Sequence, residues 1–269
     1  ATSAVFSLVQ GVLLTPPPYR EPDRLVLIQP APTEGREVNP RRWAAPQWTE
    51  WQRDATSFEA FAGYRWAFNF MVLDEGSESL EGMFVGTDYF KVAGLEPVLG
   101  RTFSETEASF PTAPVMVIGY DLWQRKFGGD PNIIGTTIRM SRRNTPPTII
   151  GVMPPGVRFL PSPATAQEPN YNVNALVDFW MPFAANPQQL KAPMWDVVGR
   201  LRDGATIDQA RAELEVIAAR QAKADPDFDK MTPQLQALTD NFNGDARRIL
   251  LPLFGAAALV LLIACGNVA

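Results

Sequence analysis

Carboxylates, lysine, tyrosine or a lone hydroxyl would have to carry any catalysis in this chain, because its 269 residues include no histidine. That excludes Ser-His-Asp and Cys-His nucleophilic catalysis, imidazole metal sites and histidine acid–base chemistry at neutral pH. Cys265 is the single cysteine, so neither an internal disulfide nor a cysteine-cluster zinc site can form. The nearest carboxylate pairs are Glu105 with Glu107 and Asp74 with Glu75. Catalytic carboxylates usually come from separate elements facing a cleft, and neighbours in a turn read as surface charge. Gly128-Gly129 lacks the Gly-x4-Gly-Lys-Ser/Thr pattern of a P-loop and reads as a helix stop. Arg139, Arg142 and Arg143 could touch phosphate or lipid head groups, or form a solvated hairpin turn. The aromatics from Trp43 to Phe70 could stack a ligand, or could pack a sheet against a helix. No metal cluster and no cofactor motif stands out.

The elements that would position these residues belong to a folded protein. Apolar residues are 46% and charged residues 20%, which excludes a wholly disordered chain. Lysine plus arginine is 24 and aspartate plus glutamate 29, a net charge of −5; a dedicated nucleic-acid binder would carry a basic surplus. The 25 prolines point to many turns and interrupted elements.

A strand is expected over Arg24–Gln29, followed by a proline-punctuated loop over Pro30–Arg42. A helix opens at Ala45-Pro46 and carries Trp48 and Trp51 on one face. Phe61–Leu73 alternates, with Tyr64, Trp66, Phe68 and Phe70 on one face. It turns at Asp74-Glu75-Gly76 into a partner strand over Ser79–Gly86. Thr87 is the expected N-cap of the next helix and Gly94 its end. Val115–Ile118 is a strand and Tyr120–Phe127 a helix. Strands follow over Ile133–Met140, Thr148–Met153 and Val177–Met181, with a mobile or irregular loop over Pro154–Asn174. Trp195–Leu201 is a strand. Thr206 and Gln209 form a capping box for a helix reaching Ala224, with Ile207, Ala210, Leu214, Ile217 and Ala218 as its apolar stripe. Gln234–Thr239 is a further short strand. The order is βαββα, a small β-rich unit, then βαβ, which predicts an α+β sandwich of ferredoxin-like type.

Both ends read as membrane segments. Ile249–Cys265 carries no charge over 17 residues, near the lower limit for a spanning helix. The bland alternative is a buried C-terminal helix. Ala4–Leu14 reads as the last turns of an upstream membrane helix, or as a short amphipathic helix. If both ends span, the middle is one large loop whose ends meet at the membrane surface. Arg247 and Arg248 alone would place the C-terminal end in the cytoplasm, but a long domain translocates largely regardless of charge.

Several stretches, in this order, carry a family likeness: LLTPPPYREPDRLVLI, FEAFAGYR, VGTDYFKVAGLEPVLGRTFSETE, LWQRKFGGDPNIIGTTI, TIIGVMPPGVRF, VVGRLRDGATIDQARAELEVIAAR and the closing LLIACGNVA. Together they resemble the MacB-type periplasmic core domain of FtsX-like ABC transporter permeases. The branch is similar to the orphan, internally duplicated permeases typical of acidobacteria. The resemblance implies that residues 1–19 are the end of a first transmembrane helix and its linker. Residues 20–96 and 192–245 would form a ferredoxin-like porter subdomain, 97–191 an inserted sabre-like subdomain, and 246–269 would start a second transmembrane helix. It implies a periplasmic domain of the bacterial inner membrane that does no chemistry. Its partners would be an ABC ATPase subunit or domain, a second permease copy or half, membrane lipid and, in the MacB branch, a periplasmic adaptor and an outer-membrane exit duct. No catalytic, cofactor or metal residues are implied. The sequence departs from the family pattern at Ala44 and Ala45, where a polar pair is usual, and in a longer loop over Pro161–Asn174. A membrane-anchored module that binds a periplasmic ligand or protein is the alternative, and a carboxylate hydrolase a remote third.

Overall fold

The computed structural model describes residues 19–32, 42–141, 144–162, 172, 175–184, 186–189, 191–226 and 231–240. The expected membrane segments, Arg142, Arg143 and most of the long proline-rich loop lie outside them. Among the described residues no helix is long and apolar enough to cross a membrane.

Among the described residues nine strands form one sheet: β1 (Leu25–Pro32), β2 (Phe58–Val72), β3 (Ser77–Val85), β4 (Leu99–Gly100), β5 (Val115–Ile118), β6 (Thr148–Val152), β7 (Phe179–Pro182), β8 (Asp196–Leu201) and β9 (Met231–Ala237). Their spatial order is β4-β6-β5-β7-β3-β2-β8-β1-β9. Within it, β9, β1, β8 and β2 pair antiparallel throughout. β1, helix α1 (Ala45–Asp54) and β2 form one split strand–helix–strand unit. β8, helix α5 (Ile207–Ala224) and β9 form the second, and the two interleave. The residues between β3 and β8 do not stand apart as a separate sheet. β7 pairs parallel to β3, Gly82 opposite Phe179, and joins β5, β6 and β4 to the rest. Gly82 permits this junction: a Cβ there would lie 2.4 Å from the Phe179 carbonyl oxygen.

β2 explains the shape of the core. At ~3.3 Å per residue, its 15 residues span both halves of the sheet. On one face, Ala62 and Tyr64 join Leu27, Val85, Trp180, Val117 and Ile150 in a core that runs under the whole sheet. Helix α2 (Tyr89–Ala93) and the segment Met153–Leu160 cover it. The opposite face is divided. Phe58 and Phe61 pack under α1 and α5 with Trp43, Trp51, Ala210, Leu214 and Ile217. Ala67 and Met71 pack beneath helix α4 (Tyr120–Phe127) with Ile118, Leu122, Ile138 and Met181. Gly63 and Arg65 lie at the seam between those two cores.

Several expectations are corrected. Ile133–Met140 forms no regular strand, because its hydrogen bonds divide between two strands. Ile138 N–H donates to Pro147 and Thr136 accepts from Ile149, whereas Arg139 accepts from Val72 and Ser141 donates to Phe70. β1 runs on through Pro30 and Pro32. Beyond Ile28 it pairs only with β9, so the missing proline donors fall on an edge. Thr87 is not a cap: α2 starts one residue later, from Asp88, with no side-chain cap bond. β9 begins at Met231 and ends at Ala237. Two elements were not anticipated, the short strand β4 and helix α3 (Glu105–Ala108), which is capped by Ser104 and Glu107.

α5 forms as its sequence dictates. The Thr206 side chain accepts from Gln209 N–H, and Ala210, Leu214, Ile217 and Gln221 face inward. Gln221 is buried because it joins α5 to α1, donating to the Gln47 carbonyl at 2.9 Å and accepting from Trp51 Nε1 at 3.2 Å. α1 starts at Ala44, which offers no capping oxygen; Gln47 Oε1 instead accepts the Ala44 N–H at 3.0 Å.

Candidate coupling site

The carboxylates and glycines singled out by their chemistry serve the fold. Glu107 pairs with Arg101 through both oxygens, at 2.7 and 2.8 Å, and also caps α3 by accepting from Ser104 N–H. The Arg101 hydrogen bond holds its carboxyl down at about 2. Glu105 sits in the exposed first turn of α3. Asp74 is exposed at the β2–β3 hairpin and within 3.4 Å of Arg139; Glu75 beside it is exposed as well. Gly128 ends α4 in the left-handed region, followed by Gly129 at φ 71°. The structure does not bring these residues together. Among the described residues no group of three carboxylate, cysteine or histidine side chains is placed to hold a metal ion.

The concentration of polar interactions lies instead where the chain enters the sheet. β1 starts beside the end of β9, with Val26 opposite Ala237. The segment before β1 and the segment after β9 therefore leave from one end of the sheet. Two arginines close that end. Arg200 on β8 is 1% exposed. Its Nε donates to the Val92 carbonyl at 2.8 Å and its Nη2 to the Arg20 carbonyl at 2.7 Å. Its Nη1 approaches Glu21 at 3.6 Å. Burial lowers the guanidinium pKa, as do Arg20 and Arg24 nearby, against the pull of Glu59 and Glu21. Arg24 donates to the Leu201 carbonyl at 2.9 Å and pairs with Glu21, Glu59 and Asp203 at 2.8, 2.9 and 2.8 Å. These two side chains tie the chain before β1 to β2, β8, α2 and the β8–α5 turn.

Local geometry shows how tightly that segment is held. Glu21 has φ 47° and ψ 62° and is the one non-glycine residue with positive φ among those described. A non-glycine residue stays there only when its surroundings over-determine it, and here the 3-10 turn Pro22–Arg24 and the arginine pairs do so. Gly94 closes α2 at φ 66°, and a Cβ there would lie 2.5 Å from Arg20 Cβ. Tyr19 is buried, and its hydroxyl donates to the Arg158 carbonyl at 2.5 Å. Tyr64 makes the matching bond to the Pro161 carbonyl at 2.6 Å. The segment that carries Arg158 and Pro161 thus locks against both the residues that lead into β1 and the centre of β2.

A second buried charge lies at the opposite end of β8. Asp196 is 6% exposed. Burial pushes its carboxyl up to about 6, against Arg42, whose Nε lies 3.4 Å away, and a Ser162 hydrogen bond. Sequence reading missed Arg200 and Asp196. Each is a charged residue inside an otherwise apolar strand, DVVGRL, whose six residues are all buried. That is the one signal the sequence carried.

Two outcomes follow from this geometry. Arg200→Met strands two buried carbonyls and should lower unfolding stability by about 2–4 kcal/mol; urea unfolding of wild type and variant measures it. For Asp196 the folded pKa lies above the unfolded value of about 3.9. Between those values the folded state holds the extra proton, so this group's contribution falls as pH rises from about 4 to about 6. Wild-type stability minus that of Asp196→Asn should therefore decrease over that window, by at most about 3 kcal/mol, and level off above it. A difference that is flat or rises with pH contradicts the assignment.

The chain matches the MacB-like periplasmic core domain over residues 1–217. No curated protein sequence matches it. Several solved structures share the fold, among them three domains of transporters or permeases. A domain of a putative permease from Porphyromonas gingivalis superimposes with TM-score 0.57 at 16% identity, covering 81% of this chain and 91% of its own. The extracellular domain of the noncanonic ABC-type transporter YknZ from Gram-positive bacteria gives 0.56 at 14% identity, covering 79% and 99%. The periplasmic region of MacB from Actinobacillus actinomycetemcomitans gives 0.57 at 13% identity, covering 91% and 98%. With an α+β sheet of that fold, and a sequence match over most of its length, the chain belongs to the family of MacB-like periplasmic core domains.

Proposed function

We propose that this chain is the periplasmic part of an ABC transporter permease, and that it carries motion rather than chemistry. ATP hydrolysis on a cytoplasmic subunit or domain would move the membrane segments. The clamped end of the sheet would pass that motion to the domain as a rigid body, working against a second permease copy or half. The observation that carries this reading is that the first and last strands of the described domain meet at one end of the sheet. Val26 pairs with Ala237, and Arg200 and Arg24 fasten the incoming segment to four elements at that end. A loop between two membrane helices needs its ends side by side, and a transmitter needs them rigidly joined to the body.

In this reading residues 1–19 are the end of the first membrane helix and its linker, 246–269 are the start of the second, and the domain faces the periplasm. Residues 20–96 and 192–245 are the porter, for which the interleaved order β9-β1-β8-β2 is what a ferredoxin-like unit requires. Residues 97–191 are the sabre-like insertion. A periplasmic adaptor and an outer-membrane duct would be further partners, and the resemblance in the sequence is the support for them.

The test is to lengthen the couplings. Two glycines inserted within Thr15–Tyr19, or within Asn241–Arg248, should leave the domain folded and ATP hydrolysis intact while export drops at least about tenfold, since mechanical coupling through a flexible joint is lost. Unchanged export in both insertion variants would sink the proposal.

A further inference from the structure

Arg65 sits at the seam between the two cores of the divided sheet face and serves neither. It lies on β2, one alternation from Gly63, which Trp195 covers so closely that a Cβ would be 2.4 Å from the indole ring. Its guanidinium carbon is 4.8 Å from the ring centre of Phe183 and 5.5 Å from that of Phe84. Two rings hold the planar group in place, and it makes no hydrogen bond or ion pair with any described residue. Burial lowers its pKa, Arg42 adds to that, and Asp196 opposes it. This is an unusual way to keep a guanidinium. Elsewhere in the chain, Arg24, Arg101, Arg125 and Arg220 all face carboxylates.

A continuous chain of ring contacts runs beside it. Phe183 touches Phe84 at 5.7 Å and Trp195 at 5.0 Å between ring centres, and Trp195 touches Trp48 at 5.7 Å. Phe84, Phe183, Trp48 and Met194 are each only partly buried. The indole N–H groups of Trp48 and Trp195 are buried without an acceptor among the described residues. An aromatic wall with two indole donors ends at a fixed cation that the nearby Asp196 carboxylate influences but that forms no ion pair among the described residues. Guanidinium geometry matches a carboxylate in bidentate fashion, and an aromatic wall suits an apolar tail.

We propose that this seam is a binding site for an amphipathic carboxylate, with the carboxylate on Arg65 and the apolar group along Phe183, Trp195 and Trp48. The proposal stands apart from the coupling reading, because its failure would leave the glycine-insertion result untouched.

The test uses the full chain in lipid nanodiscs with 3-(4-bromophenyl)propionate, whose bromine quenches nearby indoles, and its neutral amide as the matched control. The acid should bind saturably by calorimetry and quench tryptophan fluorescence, and the amide should do neither. Arg65→Gln should weaken acid binding at least about tenfold, as expected for a lost charge-assisted bidentate pair. Arg65→Lys should bind with intermediate affinity. Phe183→Leu, which keeps the charge, should cost several-fold and serves as the readout if Arg65→Gln does not fold. Arg139→Gln, at an exposed hairpin, should bind like wild type. The proposal is overturned if the acid shows no saturable binding at millimolar concentration. Equal binding of acid and amide overturns it too, as does unchanged affinity in a folded Arg65→Gln or Phe183→Leu variant.

Discussion

A guanidinium cannot be left bare inside a sheet, and Arg200 therefore dictates how this chain enters its domain. With the side chain almost fully covered, its donors must find acceptors within reach. Nη1 faces Glu21 at 3.6 Å without a hydrogen bond to any described residue, while Nε and Nη2 find the carbonyls of Val92 and Arg20. The first fixes α2 against β8. The second fixes the residue that precedes Glu21, and Glu21 then has to turn through a left-handed conformation to start the 3-10 turn leading into β1. Gly94 is required there because the backbone of Arg20 passes within contact distance of the end of α2. A bend in the incoming segment, a glycine and a buried cation are thus consequences of one hydrogen-bonding demand.

Rigidity beyond that end comes from the sheet. β2 is shared by both halves, and β7 joins β3 in parallel, so hydrogen bonding continues from β9 to β4. The core on one face runs without interruption beneath both halves, and Tyr19 and Tyr64 bond to the segment that covers it. On the other face the helices α1 and α5 are locked together by Gln221 and by ion pairs of Arg220 with Glu50 and Asp54. Glu213 of α5 accepts from the backbone N–H groups of Thr56 and Ser57 just before β2. Relative motion of the two halves would have to break main-chain pairing. The seam at Arg65 is a break in the packed layer above the sheet, and it leaves the sheet itself whole.

Much of this was legible in the sequence, for identifiable reasons. The helices over Tyr120–Phe127 and Ile207–Ala224 announce themselves through a glycine stop and a Thr-x-x-Gln capping box. The strands over Val115–Ile118 and Trp195–Leu201 are short apolar runs between turn residues. The 133–140 segment misled because apolar content at positions such as Ile138 and Met140 marks burial, not regular pairing. α3 carried its signal in Ser104-x-x-Glu107 and was overlooked because four residues are too few to show periodicity. The aromatic run in β2 read as sheet packing, and alternate positions do face opposite cores. No local pattern could disclose that Arg200 reaches Arg20, or that Arg65 meets Phe183, because those partners are more than a hundred residues apart in sequence and meet only through the strand order.

The proposed function requires the domain to move as one body when the proposed membrane segments move. Pulsed electron spin resonance on the full permease with its ATPase, with Cys265 replaced by serine, tests it most directly. Spin labels would be placed at Glu75 on the hairpin and Asp208 at the start of α5. Between the nucleotide-free and nucleotide-trapped states, the distance from Glu75 to Asp208 within one domain should stay constant. The distance between Glu75 labels on neighbouring copies should change on the order of several ångströms, as rigid-body rearrangements do. A change within the domain, or no change between the copies, would contradict the account.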